Sequence, residues 1–197
     1  MVAALVIFNC YFISMKVFRL LFTFLLLTSF GCRQVEKNSG SLANVESSIK
    51  KLEAESVELP FPVYDYEGLE PLLNRKDNKT YIVNFWATWC KPCLEEMPYF
   101  QRIYDEQNKN DVELILVSLD MPSMWEKRLV PYVHKKELKG TVVILDDPKM
   151  NEWIPKIAEN WGGGIPATLI YNKEDRAFYE RGFTYEELNT ELTKFIP

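Results

Sequence analysis

The chain has 197 residues, 23 Lys+Arg against 28 Asp+Glu, a formal net charge of −5, and 47% hydrophobic residues. The acidic balance argues against a nucleic-acid partner, which would need a basic face. One histidine and four cysteines, two of them (Cys10 and Cys32) in or beside an apolar N-terminal stretch, leave too few ligands for a four-ligand zinc site.

Residues 1–14 are apolar and uncharged; Lys16 and Arg19 then precede an apolar run at 20–27 and the segment Thr28-Ser29-Phe30-Gly31-Cys32. A charged n-region, a short apolar h-region and a small residue before a cysteine compose an export signal. The run is too short for a membrane span. Its ending resembles a bacterial lipoprotein signal, despite the unusual Phe30, and the resemblance implies that Cys32 is the lipidated first residue. Met15-Lys16 would open a normal signal by itself, and Cys10 would then never be made. The alternative is an uncleaved anchor combining residues 2–30, against which Lys16 and Arg19 in its middle argue. Either way the remainder faces outward.

The expected organisation is therefore a signal at 1–31, a polar tether at 32–56 and one domain at 57–197. Without residues 1–31, 21 Lys+Arg face 28 Asp+Glu, about −7. As a coil the tether spans ~25 to 30 Å, enough for an anchored domain to reach partners near a membrane.

Within the domain, residues 81–86 (Tyr-Ile-Val-Asn-Phe-Trp) read as a buried strand, 92–108 as a helix and 112–117 as a second strand. That is a βαβ unit with a parallel pair. A helix at 124–138 leads to a strand at 141–145, the turn Asp146-Asp147-Pro148 and a helix at 149–160. After Gly162-Gly163-Gly164, residues 167–171 and 177–180 flank a turn at 172–175, as in an antiparallel hairpin, and Thr184 with Glu187 forms a capping box for the last helix. The alternation predicts an α/β layer fold.

The segment Trp89-Cys90-Lys91-Pro92-Cys93 sits between a predicted strand and a predicted helix. Two cysteines two residues apart in an oxidising compartment are either a structural disulfide or a working redox couple. Exchange needs a thiolate, and a helix N-terminus offers unpaired N–H groups and the positive end of the dipole. Cys90 is thus the candidate nucleophile and Cys93, a turn inward, the resolving thiol. Lys91 adds a nearby positive charge, and Pro92 suits a first helical turn. The expected cycle is attack of Cys90 on a substrate disulfide, a mixed disulfide, and resolution by Cys93.

Phe85-Trp86-Ala87-Thr88-Trp89-Cys90-Lys91-Pro92-Cys93, together with Ile165-Pro166, resembles the active-site segment and cis-proline of thioredoxin-like proteins. The resemblance covers residues 57–197. The extra strand and helix between Leu119 and Trp161 resemble the exported TlpA/ResA-type branch, whose members are often membrane-tethered thiol-disulfide oxidoreductases. The resemblance implies an α/β thioredoxin fold with a central mixed sheet, flanking helices and the dithiol at the start of a long helix. It also implies that Pro166 is cis, that the Ile165 backbone pairs with an extended substrate segment, and that Pro166 keeps metal ions and other backbone away from the thiols. Asn84 stands where plain thioredoxins carry an aspartate and cannot serve as a base. Glu96, three residues beyond Cys93 on the same helical face, resembles the glutamate of the TlpA/ResA-type branch and is the candidate proton acceptor; the alternative is that Glu95 and Glu96 are two solvated helix charges. By the same likeness Trp89 contacts substrate, and Trp86 either frames the same surface or belongs to the core.

The function implied is reduction of disulfides in exported proteins by a monomer without a cofactor, with electrons from a membrane thiol reductase. Direction does not follow from Lys91-Pro92, although that pair resembles thioredoxin's Gly-Pro more than oxidant-type Pro-His. Two alternatives stand beside it. A copper-handling module would use Cys90, Cys93 and His134, but such modules usually carry a longer cysteine spacing. A thiol peroxidase would need a Thr/Ser-rich approach to its cysteine and an arginine, which Trp89 and Lys91 do not supply. His134 reads otherwise as a surface or boundary residue, and Asp120, Asp146 and Asp147 as strand ends or helix caps. Tyr99, Phe100 and Tyr104 read as core packing at helical spacing.

Overall fold

A computed structural model describes residues 59–107 and 111–196. The predicted signal, Cys32 and the whole tether at 32–56 lie outside the described residues, as does Cys10. In chain order the elements are β1 (Val63–Tyr64), α1 (Tyr66–Leu69) with a 3-10 turn at Glu70–Leu73, β2 (Thr80–Trp86), α2 (Lys91–Gln107), β3 (Val112–Ser118), α3 (Val130–Lys136), β4 (Thr141–Leu145), α4 (Met150–Ile157), β5 (Ala167–Tyr171), β6 (Arg176–Tyr179) and α5 (Tyr185–Leu192). The expected helices and strands are present, with ends shifted by a few residues. The short β1 and α1 are additional to them. Two residues of strand and one helical turn are too short to show a periodicity.

The strands form one mixed sheet in the order β1-β4-β3-β2-β5-β6. β2 runs parallel to β3, as the βαβ reading requires, and antiparallel to β5, which forms the expected hairpin with β6. β2 is buried at every position because both faces of a central strand are covered. Its alternate residues sort into two cores. Ile82 and Trp86 pack with Met97, Phe100 and Ile103 of α2 and Leu188 and Leu192 of α5. Tyr81, Val83 and Phe85 pack on the other face with Trp153, Ile157 and Trp161. Truncating the fully buried Phe100 to alanine would cost about 3–5 kcal/mol. Asn84, on the Ile82 side, is thereby turned toward α2.

The helix expected at 124–138 is built in three pieces: a 3-10 turn at Pro122–Met124, a π-helical turn at Trp125–Leu129, and α3. Pro131 has no N–H to give to the carbonyl four residues back. The Val130 N–H bonds Trp125 O instead, the wider spacing of a π turn. Gly140, between α3 and β4, has φ +92, and a Cβ there would lie 2.6 Å from the Leu114 carbonyl oxygen. Only glycine lets that connection approach β3. Among the three helix aromatics Phe100 is core and Tyr104 half-buried, but Tyr99 is exposed, which corrects its reading as core packing. Its place on α2 falls outside the stripe formed by Cys93, Met97, Phe100 and Ile103.

Candidate active site

Cys90 directly precedes α2 and Cys93 lies in its first turn, where the two are joined in a disulfide with Cα atoms 5.3 Å apart. Cys93 is fully buried and Cys90 is 5% exposed, so Cys90 is the sulfur a partner can reach. The Cys93 N–H points at the Cys90 sulfur, 3.3 Å away, as a donor to a thiolate formed there on reduction. Lys91 and Pro92 are exposed. Lys91 reaches Glu95 at 3.5 Å, with 87% and 65% of the two side chains exposed, so its charge is screened and partly answered. Trp89, 49% exposed, stands beside Cys90 at the surface. Trp86 is fully buried with its ring 5.5 Å from that of Tyr132, and its indole nitrogen lacks a hydrogen-bond partner. It does not frame the surface, because its position in β2 turns it into the core.

The Ile165-Pro166 peptide bond is cis. Ala167, the next residue, opens β5 opposite Phe85 near the end of β2, so the proline loop and the Trp89–Cys90 loop emerge at the same end of the sheet. Ile165, half-buried, packs against the core that contains both cysteines.

Glu96 is buried, one turn beyond Cys93. Its Oε1 accepts from Asn84 Nδ2 at 3.0 Å and its Oε2 from the Phe183 N–H at 2.9 Å, while Asn84 Nδ2 also donates to Thr168 Oγ1 at 3.2 Å. Burial pushes the Glu96 carboxyl up to about 7, against the lowering effect of the Phe183 N–H and the Asn84 amide. A carboxyl with this pKa can take or release a proton near neutral pH. Its neighbour Glu95, on the outer face of α2, is a solvated charge.

A second buried carboxylate supports the approach to Cys90. Asp120, which reads in the sequence only as a strand end, accepts the Thr88 N–H at 3.0 and 3.2 Å, Thr88 Oγ1 at 2.5 Å and Ser118 Oγ at 2.9 Å. Arg128 Nη2 donates to the Thr88 carbonyl at 3.3 Å, and the Cys90 N–H closes the turn on Ala87 O at 3.1 Å. The only sequence signal for this support is an aspartate two residues after a serine at a strand end. Asp147, by contrast, does what is expected near a cap: it accepts the Lys149 N–H, and it also ties down the Tyr66 N–H. His134 is exposed on α3 with its ring centroid 6.4 Å from that of Phe61. It is not gathered with the cysteines, and among the described residues no group of three or more His, Cys, Asp or Glu could hold a metal ion.

A paired dithiol at a helix mouth, opposite a cis-proline loop and backed by a buried carboxyl, defines a thioredoxin-fold redox site. The family described as AhpC/TSA matches residues 41–176 of this chain. Over 140 residues, 70% of this chain and 75% of the relative, the chain is 31% identical to the thiol-disulfide oxidoreductase ResA of Bacillus thuringiensis (strain Al Hakam). With the same coverage it is 39% identical to the ResA of Geobacillus kaustophilus (strain HTA426). A thioredoxin family thiol:disulfide interchange protein from Chlorobium tepidum TLS superposes with a TM-score of 0.51 at 16% identity, over 71% of this chain and 98% of that one, which shows the shared fold. The chain belongs to the thioredoxin-like AhpC/TSA family and, within it, to the ResA-type thiol-disulfide oxidoreductases. Its chemistry is thiol-disulfide exchange at Cys90 and Cys93, and its substrates are proteins.

Proposed function

We propose that the protein works as a reductant of disulfides in exported proteins, held at the outer side of a membrane through a lipid on Cys32. The observation that carries the redox part is the asymmetry of the dithiol: a reachable Cys90 at the helix mouth and a sealed Cys93 one turn from Glu96. The lipid anchor rests on the order of charge, apolar run and small residue before Cys32.

In the cycle, the Cys90 thiolate attacks one sulfur of a substrate disulfide and expels the other as a thiolate, which takes a proton from solvent. The substrate segment pairs with the Ile165 backbone and lies against Trp89, with Pro166 shielding the sulfurs. Glu96 then accepts the Cys93 proton, Cys93 attacks the Cys90 sulfur, and the second substrate sulfur leaves as a thiolate that takes that proton from Glu96. The enzyme ends as the Cys90–Cys93 disulfide. A membrane thiol reductase returns two electrons and two protons, so the protein itself needs no cofactor.

The test is the equilibrium reduction potential of the pair, read by alkylation and mass spectrometry across a thiol/disulfide buffer series. A reductant is expected near about −270 mV, whereas a value near about −120 mV would make it an oxidant. Failure to form the disulfide at any poise would bring metal binding forward, and rapid peroxide consumption would favour the peroxidase reading. Cys32→Ser should move the protein from the membrane to the soluble fraction.

A further inference from the structure

Three consecutive glycines, Gly162 to Gly164, lead into Ile165-Pro166. Such a stretch has no side chains to pack and loses more freedom on ordering than any other. What orders it is Glu180, one residue past the end of β6. Its Oε2 accepts the Gly162 N–H at 2.9 Å and its Oε1 the Gly164 N–H at 2.8 Å, and the Trp161 indole N–H adds a bond to Gly164 O at 2.9 Å. The carboxylate also explains two of the glycines. A Cβ at 164 would sit 2.8 Å from Glu180 Oε1 and one at 162 would sit 3.2 Å from it, and all three nearest heavy atoms at each position belong to Glu180. Neither residue has the left-handed φ that marks Gly163, at +88. A side chain at 162 or 164 would therefore push the exposed Glu180 carboxylate off the loop.

We propose that Glu180 is a positioning residue for protein substrates: it fixes the 162–164 loop so that the Ile165 backbone is presented to an extended segment before that segment arrives. The proposal rests on the reading of Ile165 as the docking backbone. Order supplied in advance lowers the cost of binding. A small disulfide needs only the Cys90 sulfur and gains nothing from the loop. Glu180 therefore acts on recognition of proteins and leaves the exchange chemistry unchanged.

The experiment compares insulin, a protein disulfide, with 5,5′-dithiobis(2-nitrobenzoate), a small one, using the full-length chain. Glu180→Ala should raise KM for insulin about tenfold, the size of one lost charge-assisted hydrogen bond, with kcat and the small-disulfide rate unchanged. Glu180→Gln, whose amide oxygen still accepts one N–H, should fall between. Gly164→Ala should raise the insulin KM in the parent protein but add nothing in the Glu180→Ala background, where the clashing atoms are gone. An unchanged insulin KM in Glu180→Ala, or equal losses with both disulfides, overturns the proposal. Ile165→Arg separates the two readings. If it raises the insulin KM while Glu180→Ala does not, the clamp alone falls; if it leaves insulin kinetics untouched, the docking reading falls and the clamp with it.

Discussion

Glu96 and Asp120 are both buried carboxylates that serve the dithiol, yet their surroundings differ in kind. Asp120 receives the Thr88 N–H and two hydroxyls, and its neighbours are fixed by β3 and the loop after β2. Glu96 receives one amide N–H from Asn84 and one backbone N–H from Phe183, and is otherwise buried. A carboxylate with many donors has its oxygens satisfied and holds the backbone around it. One with few donors bears the desolvation penalty, which raises its carboxyl toward neutral pH. The same functional group thus braces the turn before Cys90 on one side and, in the proposed cycle, takes the proton behind Cys93 on the other.

The largest effect that separates them is on stability. Asp120→Ala leaves the buried Thr88 N–H and the Thr88 and Ser118 hydroxyls short of their acceptor, and should cost about 4 kcal/mol in urea unfolding of the oxidised protein. Glu96→Gln, a neutral isostere, should cost about 1 kcal/mol at pH 4.5, where folded Glu96 holds its proton. Equal losses would erase the distinction.

Next in size is the pH dependence of stability. The Glu96 carboxyl sits at about 7 in the folded protein and at the ordinary 4.5 when unfolded. Between those values the folded state holds a proton that the unfolded state has released, so stability must fall as pH rises. The contribution is complete below about 4.5 and lost as pH passes through about 7, a total of about 3 kcal/mol. Unfolding curves from pH 4.5 to 8 should show that decline, and Glu96→Gln should flatten it. A slope that survives the substitution would mean that another group carries the proton.

Much of this is legible in the sequence. β2, β3, β4 and β5 carry runs of apolar and β-branched residues that declare themselves as strands, and the Cys-x-x-Cys spacing with Ile165-Pro166 points to the dithiol chemistry. The spacing of Glu96 to Cys93 is legible as one helical face, but spacing leaves open whether Glu95 and Glu96 are both solvated; the structure buries Glu96 and exposes Glu95. The support around them is not. Asp120 meets Thr88 across 32 residues and Glu180 meets Gly164 across 16, and only the pairing of strands brings them together. Trp86 and Trp89 look alike in the sequence, but strand register sends one into the core and the loop turns the other outward. The π turn at Trp125–Leu129 is hidden because a helical hydrophobic pattern does not distinguish helix types, although Pro131 marks the break.

The smaller effects are kinetic and test the assignment of roles directly. Glu96→Gln should slow resolution of a mixed disulfide by about 100-fold at pH 7, measured by quenched alkylation after mixing with a disulfide substrate, because a positioned proton acceptor contributes at least about that much. Thr88→Val is the matching change on the other carboxylate. It keeps the Thr88 N–H bonds to Asp120 but removes the 2.5 Å hydroxyl donor. One buried hydrogen bond is lost, about 1 kcal/mol in unfolding. Since Asp120 holds the segment before Cys90 through hydrogen bonds, the rate of resolution in Thr88→Val should stay within about threefold of the parent protein. A loss of resolution rate as large as that in Glu96→Gln would give the two buried carboxylates one role.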